Sequence, residues 1–353
     1  MLNDYPELNL ALADMVEQNA CYQPTSFWHE ASSRIVESIR QQGIECFRSQ
    51  ILPLSFFVPT YGTPGSGFSD ELKHNMMQWL RHEQPSATKT MLSLEHFLSG
   101  QMAALADYRV VVAADDVHKP PFLHHFSEST AGHPVEQFEF DGRRFSRSAL
   151  NYLMGLAMLK KHLSAKERIQ TVLEIGGGFG SLGEILFSSG SDAPRYINLD
   201  IPPTNFVAQW YLQQAVGEAY VTTHAATRHL SDIAIHELTQ IAVLCAWQIE
   251  QLRGKIDVFV NFISFQEMEP SVVQNYLHHV ARLETRWILL RNLREGKQQR
   301  TAKTALGVEK PILGDDYLNM LPNYTLVQRH VHPYGYRTVD GFHSELMLFR
   351  KNI

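Results

Sequence analysis

The feature that most constrains this chain is a glycine-rich segment, VLEIGGGFGSLGEIL, at residues 172–186. It joins a short apolar strand, predicted at Thr171–Ile175, to a helix through the loop Gly176–Gly180. Glycines tolerate positive φ and let a backbone approach a ligand without a Cβ clash. The N–H groups that begin the next helix point at that ligand with the positive end of the helix dipole. The segment therefore predicts a ligand crevice at the carboxyl end of a strand in an α/β sheet.

From residue 168 onward, short apolar runs alternate with longer amphipathic ones, which is typical of a parallel sheet covered by helices. The predicted strands are Thr171–Ile175, Tyr196–Asp200, Tyr220–His224, Ile256–Ile263 and Trp287–Leu290. The predicted helices are Leu182–Ser189, Asn205–Ala215, Asp232–Leu252 and Pro270–Leu283. A closing antiparallel hairpin is expected from Thr325–His330 and Glu345–Arg350. The fold class predicted is α/β, with a Rossmann-like sheet.

The first 147 residues have a different texture and predict a mainly helical region. Helices are expected at 26–49, 70–82 and 90–107, followed by an irregular stretch at 116–147 and a helix over Ser148–Leu163. Irregular stretches of that length are commonly functional lids. We therefore expect a substrate, lid or dimerisation region at 1–147 and a Rossmann-like catalytic domain at 148–353. A homodimer through the helical region is compatible with this organisation.

Composition restricts the partners and the compartment. The formal net charge is −6 and no basic stripe is available to neutralise phosphates, so nucleic acid is not an expected partner. No run approaches the ~18 apolar residues of a membrane span. Three widely spaced cysteines without a CxxC pair argue against a disulfide framework and a structural zinc site. The first twenty residues lack the pattern of a signal peptide, so a cytoplasmic protein is expected.

The glycine spacing narrows the choice of cofactor. The loop reads GxGxG, at Gly176, Gly178 and Gly180, whereas a dinucleotide site usually reads GxGxxG. With the acidic Glu174 before it, this spacing resembles the first motif of class I methyltransferases, so S-adenosylmethionine is the expected cofactor. Asp200 ends the next predicted strand, where a carboxylate can accept hydrogen bonds from both hydroxyls of a ribose. The residues expected to hold the cofactor are Glu174, Gly176, Gly177, Gly178, Gly180, Asp200, Ile201, Asn261 and Ser264.

A second informative segment is IDVFVNFISFQEMEPSVVQNYL at residues 256–277. Its buried-type strand ends among polar residues, so Asn261, Ser264, Gln266 and Glu267 are expected at the mouth of the crevice. Gln266 is expected to bind the substrate, and Glu267 to act as a general base or to bind a substrate hydroxyl. The alternative for Glu267 is a capping box with Ser264, in which it satisfies backbone N–H groups.

These two segments together resemble a bacterial family of sugar O-methyltransferases. The similarity lies in LEIGGGFGSL (173–182), NLDIPP (198–203), NFISFQEM (261–268) and Tyr276. It extends to YQPTSFWHEA (22–31) and to the FR and FFVP stretches around Phe47 and Phe57. The resemblance implies an S-adenosylmethionine-binding Rossmann-like domain behind a helical N-terminal region. It also implies a hydroxylated small-molecule acceptor: a sugar, or a sugar-bearing or other natural-product metabolite.

Methyl transfer to a hydroxyl needs help with the proton, because a sugar hydroxyl is a weak nucleophile at neutral pH. The candidate catalytic bases are His224, at the end of the third predicted strand, Glu267, and His343 in the predicted hairpin. The alternative for each histidine is a surface position or a partner within the core. The histidine-bearing loop at 123–134 is a candidate cover for the substrate, and the alternative is a solvated loop. No compact metal signature is present, since Asp315–Asp316 alone is weak, and a metal-independent reaction is expected.

Arg291 and Asn292 directly follow the fifth predicted strand and are expected to bind the substrate, with Arg291 gripping an anionic acceptor. The alternative for Arg291 is a strand-end charge in solvent. Two other functions remain open: a nicotinamide-dependent oxidoreductase with the same fold, and a non-catalytic nucleoside-binding or scaffold protein. A tight turn in some other α/β protein is the alternative for the glycine loop. The aromatic pairs expected to pack rather than to stack on a sugar are Phe27–Trp28 and Trp210–Tyr211.

Overall fold

The computed structural model describes residues 3–50, 56, 70–300, 307–338 and 340–352. Its strands, in chain order, are β1 (Phe138–Phe140), β2 (Arg143–Phe145), β3 (Thr171–Ile175), β4 (Arg195–Asp200), β5 (Val221–Thr223), β6 (Ile233–Ala234), β7 (Ile241–Cys245), β8 (Leu252–Arg253), β9 (Val258–Phe262), β10 (Trp287–Leu293), β11 (Tyr324–His330), β12 (Tyr336–Arg337) and β13 (His343–Lys351). The described part of the chain forms one nine-stranded sheet, whose main path is β11-β13-β10-β9-β3-β4-β7-β5, with β12 paired to β13.

The sheet is parallel from β10 to β5 and antiparallel at its other end. Strands β10, β9, β3, β4, β7 and β5 all run in the same direction. Strand β13 lies between β10 and β11 and is antiparallel to both. The chain order reverses on either side of β3, so β4 and β9 flank it and a crevice opens at their carboxyl ends. This topology confirms the predicted Rossmann-like α/β sheet and its closing antiparallel strands.

The helices are α1 (Pro6–Val16), α2 (Ser26–Gln42), α3 (Asp70–Glu83), α4 (Thr88–Ser99), α5 (Gln101–Ala114), α6 (Arg147–His162), α7 (Ser181–Phe187), α8 (Thr204–Val216), α9 (His224–Thr227), α10 (Pro270–Arg282) and α11 (Asp316–Met320). The sheet has a hydrophobic core on each face. Successive residues of a central strand point to opposite faces, so Val172 packs in one core and Leu173 in the other. The Val172 core is covered by α5 to α8, and the Leu173 core by α10, α11 and part of α1. Because both faces are covered, the strands read as continuous apolar runs.

The predicted helix over Asp232–Leu252 is wrong. This stretch contains the central strand β7, whose five residues Ile241–Cys245 are all buried, with short 3-10 turns on either side. An apolar run of five residues fits a strand covered on both faces as well as a helix, and periodicity alone does not separate them. The predicted strand at Tyr220–His224 is the edge strand β5, and His224 instead begins α9.

The N-terminal helical region also differs in detail from the prediction. The helix expected at 90–107 is two helices, α4 and α5, because Gly100 adopts a left-handed conformation with φ +84° between them. The irregular stretch expected at 116–147 contains the β1–β2 hairpin. Its turn places Asp141 at φ +50° and Gly142 at φ +70°, as a two-residue hairpin turn requires.

The N-terminal region is fastened to the sheet domain near the crevice. Asp14 on α1 accepts two hydrogen bonds from Arg228, at 2.7 and 2.5 Å. The Tyr22 hydroxyl donates to Glu250 at 2.7 Å and accepts from Asn275 at 3.1 Å. These contacts place residues 14–28 beside the carboxyl ends of the strands.

Cys21, Cys46 and Cys245 are all unpaired thiols. Among the described residues, no helix is both long and apolar enough to cross a membrane.

Candidate active site

A cavity opens at the carboxyl ends of β3, β4, β7 and β9. It holds about 1040 Å³ of empty space, part of which is open to solvent. Three of its walls come from the sheet domain: the glycine loop, the end of β4 and the segment after β9. The N-terminal region closes another side with Cys21, Gln23, Thr25, Trp28 and Phe56. Both predicted informative segments therefore meet at one site.

The glycine loop forms the wall nearest to β3. Gly176 and Gly178 have φ of +69° and +58°, and Gly176, Gly177 and Gly178 line the cavity with bare backbone. A Cβ on Gly176 would overlap the Ser264 side chain. A Cβ on Gly177 would lie 2.6 Å from a Glu174 carboxylate oxygen. Gly180, with φ +91°, begins α7 behind this wall and is not a lining residue.

Glu174 lies beneath the loop and does not line the cavity. Its carboxylate is fully buried and accepts a hydrogen bond from the Tyr196 hydroxyl, and the Tyr152 hydroxyl is a second close neighbour. Burial raises the pKa of Glu174 to about 7, and the two tyrosine hydroxyls oppose that rise. Glu174 therefore supports the loop and the cavity residue Tyr152 from behind.

Asp200 projects a carboxylate to the cavity from the end of β4. It is partly exposed there, and its Oδ1 accepts the backbone N–H of Ile201 at 2.8 Å. Burial raises the pKa of Asp200 to about 8, and the neighbouring Glu174 and Glu267 contribute to that rise. Ile201 lines the cavity beside it. The predicted position of Asp200 opposite the glycine loop agrees with this geometry.

Three buried polar side chains on the cavity wall have atoms without a hydrogen-bond partner. They are the Oγ of Ser181, the Oγ1 of Thr204 and the Oδ1 of Asn151. Buried polar atoms are nearly always bonded in proteins, so these three atoms beside the cavity are candidate contacts for a bound water or a ligand. Sequence reasoning missed all three. Ser181 and Thr204 begin α7 and α8, and their places directly after the glycine loop and after NLDIPP were the available signal.

Asn261 braces the segment after β9 against the glycine loop. Its Nδ2 donates to the Ile175 carbonyl at 2.9 Å and to Ser264 Oγ at 2.6 Å, and its Oδ1 accepts Phe265 N–H at 3.2 Å. Ser264 Oγ also donates to the Ile175 carbonyl at 3.1 Å. Asn261 is fully buried and lies outside the cavity lining, whereas Ser264 lines it. Asn261 was expected to contact the cofactor directly, but its side chain supports the glycine loop from outside the cavity.

The turn before Ser264 is strained. Ile263 has φ +74° and ψ −38°, a conformation that a β-branched residue rarely adopts. Its N–H donates to the Arg291 carbonyl at 2.7 Å, and it lines the cavity. Such strain costs about 1–3 kcal/mol and is held only where the surroundings enforce it, often at functional sites.

Gln266 and Asn292 tie this segment to β10 and are not cavity residues. Gln266 Oε1 accepts the Leu293 N–H at 2.7 Å, and Gln266 N–H donates to Asn292 Oδ1 at 3.2 Å. Both side chains are buried and lie outside the lining. The substrate contacts predicted for this pair are corrected to a structural role, because their polar groups are used within the protein.

Glu267 lines the cavity and joins it to the N-terminal region. Its Oε1 accepts from Lys297 Nζ at 2.9 Å, and its Oε2 accepts from Trp28 Nε1 at 3.2 Å. Its backbone carbonyl accepts from the Thr25 hydroxyl at 3.0 Å. The side chain makes no capping box with Ser264, so that alternative is not realised. Lys297 was missed because nothing local in its sequence marks it.

The two candidate histidines lie away from the cavity, which corrects their predicted placement. His224 is buried between Gln248, at 2.8 Å from Nδ1, and Asp14, at 2.9 Å from Nε2. His343 bonds Glu295 at 2.6 Å on β13, on the far side of β10 from the crevice. Neither lines the cavity. His224 instead helps to fasten α1.

Arg291 is fully buried under the cavity wall, not at its surface. Its guanidinium lies 5.1 Å from the ring centre of Phe262 and donates to the carbonyls of Tyr334 and Asn151, at 2.5 and 3.4 Å. Its Nε and Nη1 have no hydrogen-bond partner, and burial lowers the pKa of Arg291 to about 10. The predicted grip on an anionic acceptor is corrected, since this cation does not reach the cavity.

The remaining sequence predictions concern the aromatic pairs and a metal site. Trp210 and Tyr211 pack edge-on against Phe47, as expected. The stretch around Phe57 and the side chain of Phe27 lie outside the described residues. Within the described ranges, no three His, Cys, Asp or Glu side chains converge as a metal site.

No protein-family model matches the chain, and no curated protein matches its sequence. Among solved structures it is similar to mitomycin 7-O-methyltransferase, at 14% identity over 95% of this chain and 76% of the other, with a TM-score of 0.37. It is also similar to magnesium protoporphyrin IX methyltransferase from Synechocystis PCC 6803, at 13% identity over 57% and 77%, TM-score 0.36. A third is 1,6-didemethyltoxoflavin-N1-methyltransferase from Burkholderia thailandensis, at 16% identity over 59% and 78%, TM-score 0.38. Likenesses this distant carry no functional argument, and the fold assignment rests on the strand order above.

Proposed function

We propose that this chain is an S-adenosylmethionine-dependent O-methyltransferase that acts on a hydroxyl of a sugar, or of a sugar-bearing or other natural-product metabolite. The supporting observation is that the Gly176–Gly178 backbone and the Asp200 carboxylate line one cavity at the carboxyl ends of β3 and β4. This is the place where α/β sheets bind nucleotide-like ligands. The resemblance of the glycine loop and the NFISFQEM segment to sugar O-methyltransferases supports the reaction class.

The residues present fit this cofactor. The glycine loop leaves no Cβ between its backbone and the cavity, and Asp200 offers a carboxylate to ribose hydroxyls. The unpartnered hydroxyls of Ser181 and Thr204 are available to further polar groups. The described residues that line the cavity include no Lys, Arg or His, so none of them would repel the positively charged sulfur of this cofactor.

When bound, S-adenosylmethionine supplies a methyl group that an acceptor oxygen displaces, with the carbon–sulfur bond electrons leaving on sulfur. The protein must then position the acceptor and receive one proton. Glu267 is the carboxylate of the cavity wall nearest to β9, and we assign it that proton. Lys297 and the Trp28 N–H hold its two oxygens in place.

The cofactor part of the proposal is tested by calorimetric titration of the purified chain with S-adenosylhomocysteine. Replacing Asp200→Ala removes two charge-assisted hydrogen bonds worth about 1.5–3 kcal/mol each, so the Kd should rise by about 100-fold or more. The matched control is Asp192→Ala, an exposed aspartate outside the cavity, which should leave the Kd unchanged. Absence of binding to the folded wild-type chain would refute the proposal.

The catalytic part is tested by following methyl transfer from labelled cofactor. Replacing Glu267→Gln keeps the shape of the side chain and should lower kcat by about 10²-fold or more, with the Kd for S-adenosylhomocysteine nearly unchanged. Cofactor binding without turnover on any hydroxylated acceptor would favour the non-catalytic binding or scaffold function instead.

A further inference from the structure

The β9 side of the cavity is built from aromatic rings. Tyr152 and Phe262 are stacked with ring centres 4.8 Å apart and planes 5° from parallel. Trp28 and Phe56, from the N-terminal region, have ring centres 5.4 Å apart. All four line the cavity, and β9 lies across β3 from β4, which carries Asp200. The aromatic side is therefore separated from the ribose-binding carboxylate by the glycine loop.

The described residues that line the cavity include two carboxylates. None of the described residues that line it is a lysine, an arginine or a histidine. Its carboxylates are Asp200 and Glu267, and the partner of Glu267, Lys297, lies outside the lining. The raised pKa of Asp200 has the two neighbouring acids among its causes. A phosphate or carboxylate on the acceptor would therefore find no cation to pair with among the described lining residues.

Several polar groups on the β9 side already have partners within the protein. Thr25 donates to the Glu267 carbonyl, and both Glu267 carboxylate oxygens already accept hydrogen bonds. A bare sugar carries a hydroxyl on most of its carbons, and each one left unpaired on binding costs affinity. The aromatic rings of this wall offer such hydroxyls neither a donor nor an acceptor.

The proton chemistry points in the same direction. A phenol, with a pKa near 10 as in tyrosine, gives up its proton far more readily than an aliphatic sugar hydroxyl does. A phenolic acceptor therefore needs less help from the carboxylate that receives its proton.

Building on the proposed methyltransferase function, we propose that the acceptor is a neutral aromatic compound that is methylated on a phenolic hydroxyl. Its ring packs against Trp28, Phe56, Tyr152 and Phe262, and its hydroxyl faces Glu267. We do not expect sugar phosphates or free monosaccharides as acceptors, because they carry no aromatic ring to pack here and the described lining residues include no Lys, Arg or His.

The test uses the full chain with S-adenosylmethionine and three acceptors. Arbutin carries one phenolic hydroxyl and a glucose, phenyl β-glucoside carries the same sugar without the phenol, and glucose 6-phosphate is anionic. Mass spectrometry and NMR locate any new methyl group. We expect methylation of a phenolic oxygen in arbutin, and none of the other two compounds. Methylation of a sugar hydroxyl in any of the three would overturn the proposal.

A binding measurement tests the proposal even if the chosen phenol is methylated too slowly to detect. The chain saturated with S-adenosylhomocysteine is titrated with a panel of neutral phenols and with the two glucosides. At least one phenol should bind about ten-fold more tightly than phenyl β-glucoside, and a panel in which none does so overturns the proposal. Failure to bind S-adenosylhomocysteine is a separate result, which refutes the methyltransferase function itself and the acceptor inference with it.

Variants at Trp28 connect the acceptor to the wall. Replacing Trp28→Ala should raise the Kd or KM for the best phenol by about ten-fold, because stacking on an aromatic side chain is lost. Replacing Trp28→Phe keeps a ring and removes the N–H bond to Glu267, so affinity should change by less than about three-fold while kcat changes more. The control Trp79→Ala removes a largely exposed tryptophan outside the cavity. Equal acceptor affinity in wild type and Trp28→Ala would count against the stacking wall.

Discussion

A methyl group added at Gly176 should destabilise the protein in two separable ways. The residue has φ +69°, and an L side chain in this left-handed conformation costs about 1–2 kcal/mol. The new Cβ would also overlap both side-chain atoms of Ser264. Ser264 has little freedom to move, because its Oγ bonds the Ile175 carbonyl and the Asn261 amide. Overpacking of this kind adds about 1–3 kcal/mol. The total expected for Gly176→Ala is about 2–5 kcal/mol of unfolding free energy.

A matched glycine isolates the backbone part. Gly142, in the β1–β2 turn, has φ +70° and no heavy atom within 4 Å of an added Cβ. Gly142→Ala therefore measures the conformational cost alone. Urea unfolding of both variants, with unchanged m-values, should show Gly176→Ala to be the more destabilising by about 1–3 kcal/mol.

A second-site change tests the overlap directly. In the Gly176→Ala background, Ser264→Gly removes both overlapping atoms and should show a favourable coupling of about 1–3 kcal/mol in a double-mutant cycle. Ser264→Ala keeps the Cβ and should recover much less. The reasoning fails if Gly176→Ala costs no more than Gly142→Ala, or if Ser264→Gly shows no coupling.

Three further predictions concern the cavity and its support. Asn261→Ala leaves the Phe265 N–H without its partner and should lower the unfolding free energy by about 2–4 kcal/mol. It should also weaken S-adenosylhomocysteine binding. A loss of less than about 1 kcal/mol in urea unfolding would contradict the bracing role of Asn261. Arg291→Met replaces a buried cation that has two unpartnered donors. Thermal unfolding should therefore show a stability within about 1 kcal/mol of wild type or above it. A large loss of acceptor binding would show instead that Arg291 contacts the acceptor. Since the ligand-free pKa of Asp200 is raised to about 8, its ionised form opposes folding above the unfolded pKa, and stability should fall as the pH rises toward 8. Donating hydroxyls select that ionised form, so S-adenosylhomocysteine should bind about ten-fold or more tightly at pH 8.5 than at pH 6.5, and an equally steep profile in Asp200→Asn would contradict this.

The parts of the fold that the sequence predicted are those coded by short, contiguous signals. The apolar run at Thr171–Ile175, the glycines after it and Asp200 twenty-four residues beyond Gly176 sit in the structure as expected. The sequence does not separate the strand Ile241–Cys245 from a helix, because five apolar residues show no period of their own. The Asp141–Gly142 pair is a local hairpin signal within the stretch expected to be irregular.

The site was less predictable because its contacts join residues far apart in the chain. Trp28 and Glu267 are 239 residues apart, and Asp14 and His224 are 210 apart. A histidine after a strand is equally suited to catalysis and to fastening a helix until its partner is known. Asn261 lies in β9 and Gln266 in the turn after it, and the direction in which each amide points depends on β3 and β10.

The antiparallel end of the sheet has a consequence for synthesis of the protein. Strand β13 lies between β10 and β11 but follows both in the chain, so β11 finds its only partner strand among the described residues after β13 has left the ribosome. Until then, β10 has one side unpaired and presents Trp287 and Leu289 along an apolar edge. Open edges of this kind recruit other strands. The nascent chain therefore passes through a stage that favours chaperone capture, and slower translation before residue 343 would prolong that stage.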